Sequence, residues 1–79
     1  MANINRYHSV LQSVFNLEQS DIKESLTALD VDTWDSMGQM NLATALENEF
    51  KIFLDPEDII QLISYINGIQ VLKKHGIVF

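Results

Sequence analysis

The sequence predicts an all-α fold: a four-helix bundle of three longer helices and one short helix, with a long loop between helices 1 and 2. Apolar residues recur at steps of three and four in three separate stretches, which is the period of an amphipathic helix. Capping residues begin several of these stretches, and no stretch alternates as a half-buried strand does. A chain of 79 residues is too short for two cores, so one domain is predicted over residues 1–79.

Residues 3–15 are predicted as the first helix, with Asn3 as its N-cap. Its apolar face is formed by Ile4, Tyr7, Leu11 and Val14. In residues 16–35, here called the strap loop, the apolar residues no longer recur at helical steps. Their scattered apolar residues predict a connection that packs over the core, with a short helical turn within residues 20–26. A connection of this length is uncommon in a small domain and is usually functional or disordered.

Residues 36–51 are predicted as the second helix, and either Asp35 or Ser36 can supply the oxygen that caps it. Its core face is predicted to contain Leu42, Ala45, Leu46 and Phe50. Another side carries Met37 and Met40, together with Thr44 and Glu47. An exposed pair of methionines suits contacts with several partners. The alternative is that the strap loop covers both methionines.

A third, short helix is predicted to begin after Asp55, because an aspartate cap followed by proline is a strong helix start. It is expected to reach about Leu62, and four apolar residues are expected to face inward: Ile59, Ile60, Leu62 and Ile63. The last helix is predicted over residues 65–75, capped by Ser64 and ended by Gly76. Its apolar side is predicted to contain Tyr65, Ile66, Ile69 and Leu72. The apolar tail after Gly76 can fold back on the core.

The composition restricts the partners that the chain can bind. Eleven acidic and five basic residues give a net charge of −6. This charge opposes binding to nucleic acid and stable association with anionic membranes, and it favours basic protein partners, although acidity also simply keeps a small protein soluble. The chain contains no cysteine, which fits a reducing compartment. No secretory signal follows Met1. We therefore expect a cytoplasmic monomer.

The sequence argues against three kinds of site: a calcium-binding loop, a zinc site and the active site of a serine hydrolase. The run that begins at Asp30 starts like a calcium-binding loop, but Asp35 stands at its glycine position and Asn41 at its closing glutamate position. No histidine or cysteine cluster has zinc-ligand spacing. A serine hydrolase needs a histidine beside its serine, and His8 and His75 lie in the first helix and at the end of the last. We predict no metal site and no catalytic residue, so the protein is not expected to be an enzyme.

Ser36 can have either of two roles. It can simply cap the second helix, as serine often does. It also stands at a junction that another enzyme can reach, after an acidic residue and before a methionine, where its hydroxyl can be modified. Excluding the other chemistries makes modification the serious alternative to capping.

The run Asp35-Ser36-Met37 opens a helix that ends in Ala-Leu-Glu-Asn-Glu-Phe50. This pattern resembles the acyl carrier proteins, whose signature is Asp-Ser-Leu followed by a helix that ends in an acidic stretch and phenylalanine. The resemblance covers nearly the whole chain, because the first helix, long loop, signature helix, short Asp-Pro-Glu-Asp helix and final helix follow the family's order.

The resemblance implies that Ser36 receives 4′-phosphopantetheine from coenzyme A through a magnesium-dependent phosphopantetheinyl transferase (holo-synthase). The thiol of this arm then carries an acyl group as a thioester, which the chain presents to acyl-activating, condensing or transferring enzymes. It also implies that the transferase docks near Asp35. Partner enzymes are expected to meet the second helix at Met37, Met40, Thr44 and Glu47.

Some residues depart from the family pattern. Gln39 and Asn41 stand where carriers of fatty acid synthesis commonly have acids, and Asn48 interrupts the later acidic run. These differences favour a specialised lipid or polyketide-type pathway. An aminoacyl or peptidyl carrier is an alternative, although such carriers usually have glycines where this chain has Thr33 and Trp34. Two further alternatives are a carrier-like module that binds partners without being modified, and an unrelated acidic regulatory bundle.

Overall fold

The computed structural model describes residues 2–79, and it confirms the all-α fold. Met1, the first residue of the predicted domain, lies outside the described residues. The described chain contains four α-helices: α1 (Asn3–Phe15), α2 (Ser36–Phe50), α3 (Pro56–Ile60) and α4 (Tyr65–Lys74). None of the helices within residues 2–79 has the length and apolarity needed to cross a bilayer.

The strap loop contains two single turns of 3₁₀ helix, Gln19–Asp21 and Ala28–Asp30. The helical turn predicted within residues 20–26 is therefore present only at its start. The loop packs over the core as predicted, because Leu26 and Trp34 are buried in it. Its backbone is held by two hydrogen bonds to the α3–α4 connection and the start of α4, from Ala28 N–H to the Ile63 carbonyl and from Tyr65 N–H to the Leu26 carbonyl, both at 2.9 Å.

The core contains the contact between α1 and α2, and buried residues of the strap loop, of the segments on either side of α3 and of α4 complete it. Of the predicted core face of α2, Leu42 and Leu46 are fully buried and Phe50 is nearly so, but Ala45 is only half-buried and Ala43 is buried instead. The helical period explains the difference. At 100° per residue, Ala43 lies about 60° from the centre of the face formed by the three large residues, whereas Ala45 lies about 100° from it.

The prediction that Asn3 caps α1 is wrong, because Asn3 is the first helical residue and the cap position is Ala2, which makes no side-chain cap bond. Asn3 bonds distant parts of the chain instead. Its Nδ2 donates to the Val78 carbonyl at 2.9 Å, and its Oδ1 accepts from Arg6, which also pairs with Glu49 at the end of α2. Asn3 therefore ties the chain's tail to α1, a use that no local pattern reveals.

The prediction that Ile59, Ile60, Leu62 and Ile63 all face inward is partly wrong. Leu62 is fully buried and Ile59 half-buried, but Ile60 is 69% exposed and Ile63 is 48% exposed. The reason is that α3 ends at Ile60 rather than near Leu62. A helix of five residues offers only one side to the core, and Asp58 occupies that side, whereas Leu62 is buried beyond the end of the helix.

In α4, Tyr65 and Leu72 are buried as predicted, but Ile66 is exposed. Gly68 and Val71 face the core in its place. A Cβ atom at residue 68 would lie 2.1 Å from the hydroxyl of Tyr7, so the missing side chain lets α1 and α4 approach closely. Ser64 caps α4 as predicted, through a hydrogen bond from the Asn67 N–H at 3.0 Å.

Asp58 is a fully buried carboxylate that joins α3 to the end of α4. Its Oδ1 accepts from the Lys74 ammonium and its Oδ2 from His75 Nε2, both at 2.7 Å, and it closes a capping box with Asp55. The hydrogen bond from Lys74 is the largest cause that lowers the pKa of Asp58 to about 2, with His75 and the Asp55 N–H also contributing. The predicted placement of Lys74 and His75 at the helix end holds, but the buried partner was not predicted.

Asp58→Asn is expected to lower the free energy of unfolding by about 1–3 kcal/mol at neutral pH, because charged hydrogen bonds are lost. The folded-state pKa of Asp58 is depressed, so the ionised group stabilises the fold above about pH 4. This contribution declines as the pH falls toward about 2. Urea titrations across this range should therefore show a weaker pH dependence in the variant than in the wild type.

The matched control is Asp32→Asn, at an exposed acid in the strap loop. It should leave the free energy of unfolding nearly unchanged at neutral pH and keep the steep dependence below about pH 4. Equal behaviour of the two variants would show that the Asp58 contacts do not stabilise the fold.

Candidate functional site

The loop–helix junction lies at the start of α2, and Asp35 is the N-cap of this helix. The Asp35 Oδ1 accepts a hydrogen bond from the Gly38 N–H at 2.9 Å, which satisfies one of the unpaired donors of the first turn. Ser36 is the first helical residue, and it is exposed. Of the two residues that could cap the helix, Asp35 does so. The Ser36 hydroxyl is therefore not required for capping.

Trp34 anchors this junction, a role that was not predicted from the sequence. Its side chain is only 4% exposed, and its ring stacks on Phe15 of α1 with the ring centroids 4.5 Å apart. The indole Nε1–H donates to the Leu62 carbonyl at 3.0 Å. Asp35 and Ser36 are exposed, so the chain leaves the core just before the serine. The sequence offered one signal for this anchoring role, the single tryptophan of the chain. A buried tryptophan usually donates its N–H to a hydrogen-bond partner.

Gly38 lets the first turn of α2 lie directly against the strap loop. A Cβ atom at this position would lie 2.0 Å from the Thr33 carbonyl oxygen and 3.0 Å from Cε1 of Phe15. Gly38 is also buried. The backbone at Ser36 therefore lies between two closely packed residues, Trp34 before it and Gly38 after it.

Met37 and Met40 are exposed, by 76% and 52% respectively. The strap loop therefore does not cover them, and the alternative in which it did is wrong. Thr44 is exposed on the same side, and these three residues are called the methionine face. Glu47 is half-buried, and its Oε2 accepts a hydrogen bond from the Leu54 N–H at 2.8 Å. One carboxylate oxygen of Glu47 is thus already used within the fold.

Helix α3 lies beside the first turns of α2. The Gln39 Nε2 donates to the Ile59 carbonyl at 2.6 Å, which ties the two helices together. Ile60, the next residue, is exposed and was predicted to be buried. An exposed apolar side chain on α3 therefore follows directly after the residue that Gln39 contacts. Gln39 stands where carriers of fatty acid synthesis commonly have an acidic residue, and here its side chain bonds α3 to α2.

The two histidines both bond groups away from the Ser36 junction. His8 Nε2 lies 2.8 Å from the Tyr65 hydroxyl, and burial lowers the pKa of His8. His75 binds Asp58. Within residues 2–79, no group of three or more His, Cys, Asp or Glu side chains is placed to hold a metal ion. The structure therefore brings neither histidine to Ser36 as a base.

An open pocket of about 410 Å³ lies between the second 3₁₀ turn and the α3–α4 connection. Its lining is mostly apolar and consists of Thr27, Ala28, Leu29, Ile63, Ser64 and Asn67. Leu29 is 97% exposed at its rim. The pocket is a second apolar surface, distinct in its residues from the methionine face.

The junction offers a serine hydroxyl that another enzyme can reach, on a backbone held from both sides. A phosphate-linked group on this oxygen would stand at the N-terminal end of α2, where the helix dipole favours negative charge. The residues present thus fit a phosphopantetheine arm. No known protein-family model matches this chain, and no curated protein matches it either.

Proposed function

We propose that this protein is an acyl carrier protein, modified on Ser36 with 4′-phosphopantetheine, which presents acyl thioesters to the enzymes of a specialised lipid or polyketide-type pathway. The observation that carries the proposal is the division of roles at the junction. Asp35 caps α2, and Ser36 is exposed beside it. A serine that only capped the helix would occupy the position that Asp35 holds.

The chain's own residues would hold the arm's attachment point and not perform chemistry. Ser36 supplies the oxygen that becomes esterified to the phosphate, and the arm supplies the thiol that a chain without cysteine lacks. Catalysis belongs to the transferase and to the acyl-processing enzymes. In this proposal the protein is therefore not an enzyme.

The partner-binding surface would consist of Asp35 and the methionine face, with Glu47 at its edge. Flexible thioether side chains adapt to differently shaped partners, which suits a carrier that meets several enzymes in turn. The net charge of −6 favours basic docking surfaces over nucleic acid or an anionic membrane. We place this function in the cytoplasm and assign it to a monomer.

The test is a mass measurement after incubation with coenzyme A, Mg²⁺ and a promiscuous phosphopantetheinyl transferase. The wild type is expected to gain one phosphopantetheinyl group, and Ser36→Ala is expected to gain none because the acceptor oxygen is missing. Ser13→Ala, at an exposed serine on α1, is the matched control and should be modified like the wild type. Circular dichroism should show all three folded.

Failure of the wild type to gain mass, with a transferase that modifies another carrier in the same tube, would overturn the proposal. The exposed methionine face would then favour the second candidate, a module that binds partners without modification. If the arm is added, charging with acyl-activating and with aminoacyl-activating enzymes distinguishes an acyl carrier from an aminoacyl or peptidyl carrier.

A further inference from the structure

We propose that Trp34 is a positioning residue for the modification of Ser36. In this proposal, which rests on the proposed carrier function, its indole sets where the serine hydroxyl stands relative to the partner-docking surface. The transferase would act efficiently only when the hydroxyl and that surface are held together in one geometry.

Trp34 is the last buried residue before the serine. Its ring stacks on Phe15 of α1, with an angle of 20° between the ring planes. Its Nε1–H reaches the carbonyl of Leu62, which is 28 residues away in the chain. Its own backbone N–H donates to the Val31 carbonyl at 3.0 Å. One side chain thus joins the strap loop both to α1 and to the α3–α4 connection.

Trp34 contributes a directional hydrogen bond to the Leu62 carbonyl in addition to its apolar packing. A leucine or phenylalanine could occupy much of the same space, but it would leave the Leu62 carbonyl without this donor. A directional bond to backbone fixes both the depth and the rotation of the ring. Asp35 then fixes the next residue through the helix cap. Ser36 therefore follows two consecutive residues whose positions are set by specific bonds.

This placement matters for a reaction carried out by a second protein. The transferase must bind the carrier through its surface and at the same time bring Ser36 Oγ to the pantetheine-bearing phosphorus of coenzyme A. There the new O–P bond forms, the pyrophosphate bond breaks to release 3′,5′-ADP, and the serine proton passes to a base of the transferase or to solvent. A displacement of about 1 Å can cost up to about a hundredfold in rate when it moves a reacting atom out of line. Met40 and Thr44, which lie further along α2, are not moved by such a shift, so their contribution to binding is retained.

The experiment replaces Trp34 with 3-benzothienylalanine, in which sulfur takes the place of the indole N–H while size and stacking are kept. Steady-state modification by the transferase is measured on this variant and on Trp34→Phe. The kcat is expected to fall about fivefold in each, as the loss of one hydrogen bond of ordinary strength predicts. The KM for the carrier is expected to stay within about twofold, because the part of the docking surface at Met40 and Thr44 keeps its position on α2.

Val71→Ala controls for a purely structural effect, since Val71 is buried on α4, a different helix from the one that Ser36 begins. All variants are assayed at a temperature at which circular dichroism shows them folded. Val71→Ala should keep wild-type kcat even though it is less stable. An unchanged kcat in the benzothienyl variant, or an equal loss in Val71→Ala, would overturn the positioning role. Failure of the wild type itself to be modified would instead overturn the carrier function.

Discussion

Leu46→Ala is expected to lower the free energy of unfolding by about 2–5 kcal/mol, because a fully buried leucine leaves a cavity as well as losing its transfer free energy. Leu46 lies in the C-terminal half of α2, the helix that packs against α1. In a domain of 79 residues this loss is a large part of the total stability. Urea titration followed by circular dichroism measures it directly.

Met40→Ala is the matched comparison, since it also truncates an apolar side chain on α2. Met40 is half exposed, so its loss should cost less than about 1 kcal/mol. Under the proposed carrier function, its effect should appear instead as weaker binding of partner enzymes to the modified protein. Equal losses of stability in the two variants would show that the faces of α2 are assigned wrongly.

Gly38→Ala is expected to destabilise the fold by about 1–3 kcal/mol, although alanine is the better helix former by about 1 kcal/mol. The added methyl group would meet the Thr33 carbonyl oxygen at 2.0 Å. That oxygen belongs to backbone, so relief requires the strap loop to move away from α2. The same movement displaces the junction, so under the proposed carrier function the modification of Ser36 should also slow.

Asn41→Ala is the control for the predicted destabilisation, because it also introduces alanine into α2 but at an exposed position. Without a steric conflict it should be neutral or slightly stabilising through helix propensity. Thermal unfolding of both variants, together with the mass assay, provides the measurement. A stabilised Gly38→Ala variant that is modified at the normal rate would contradict the close packing at the junction.

Local signals predicted the helices well. The bounds of α1 are those predicted, and α2 ends one residue early, at Phe50, because Lys51 adopts a left-handed conformation. The caps at Asp55 and Ser64 are confirmed. These features depend on residues within one or two turns of each other, which a sequence displays directly.

Helix faces were predicted less well when a helix was short or when its neighbour was unknown. Ile60 and Ile66 are apolar yet exposed, whereas Asp58 is charged yet buried. Periodicity identifies an apolar side only when the helix is long enough to repeat it. For α3 and α4, the side that faces inward depends on what packs against it: Tyr7 against Gly68, and Lys74 and His75 around Asp58.

The sequence by itself determined the four helices, the long connection between the first two, and the position of Asp35 and Ser36 at a helix start. Only the tertiary structure decided that Asp35 provides the cap, that the methionines are exposed, and that Trp34 reaches the Leu62 carbonyl. The physical reason is the range of the interactions. Helix period and capping act between near neighbours, whereas exposure and the bond of Trp34 depend on segments that meet only when the chain folds.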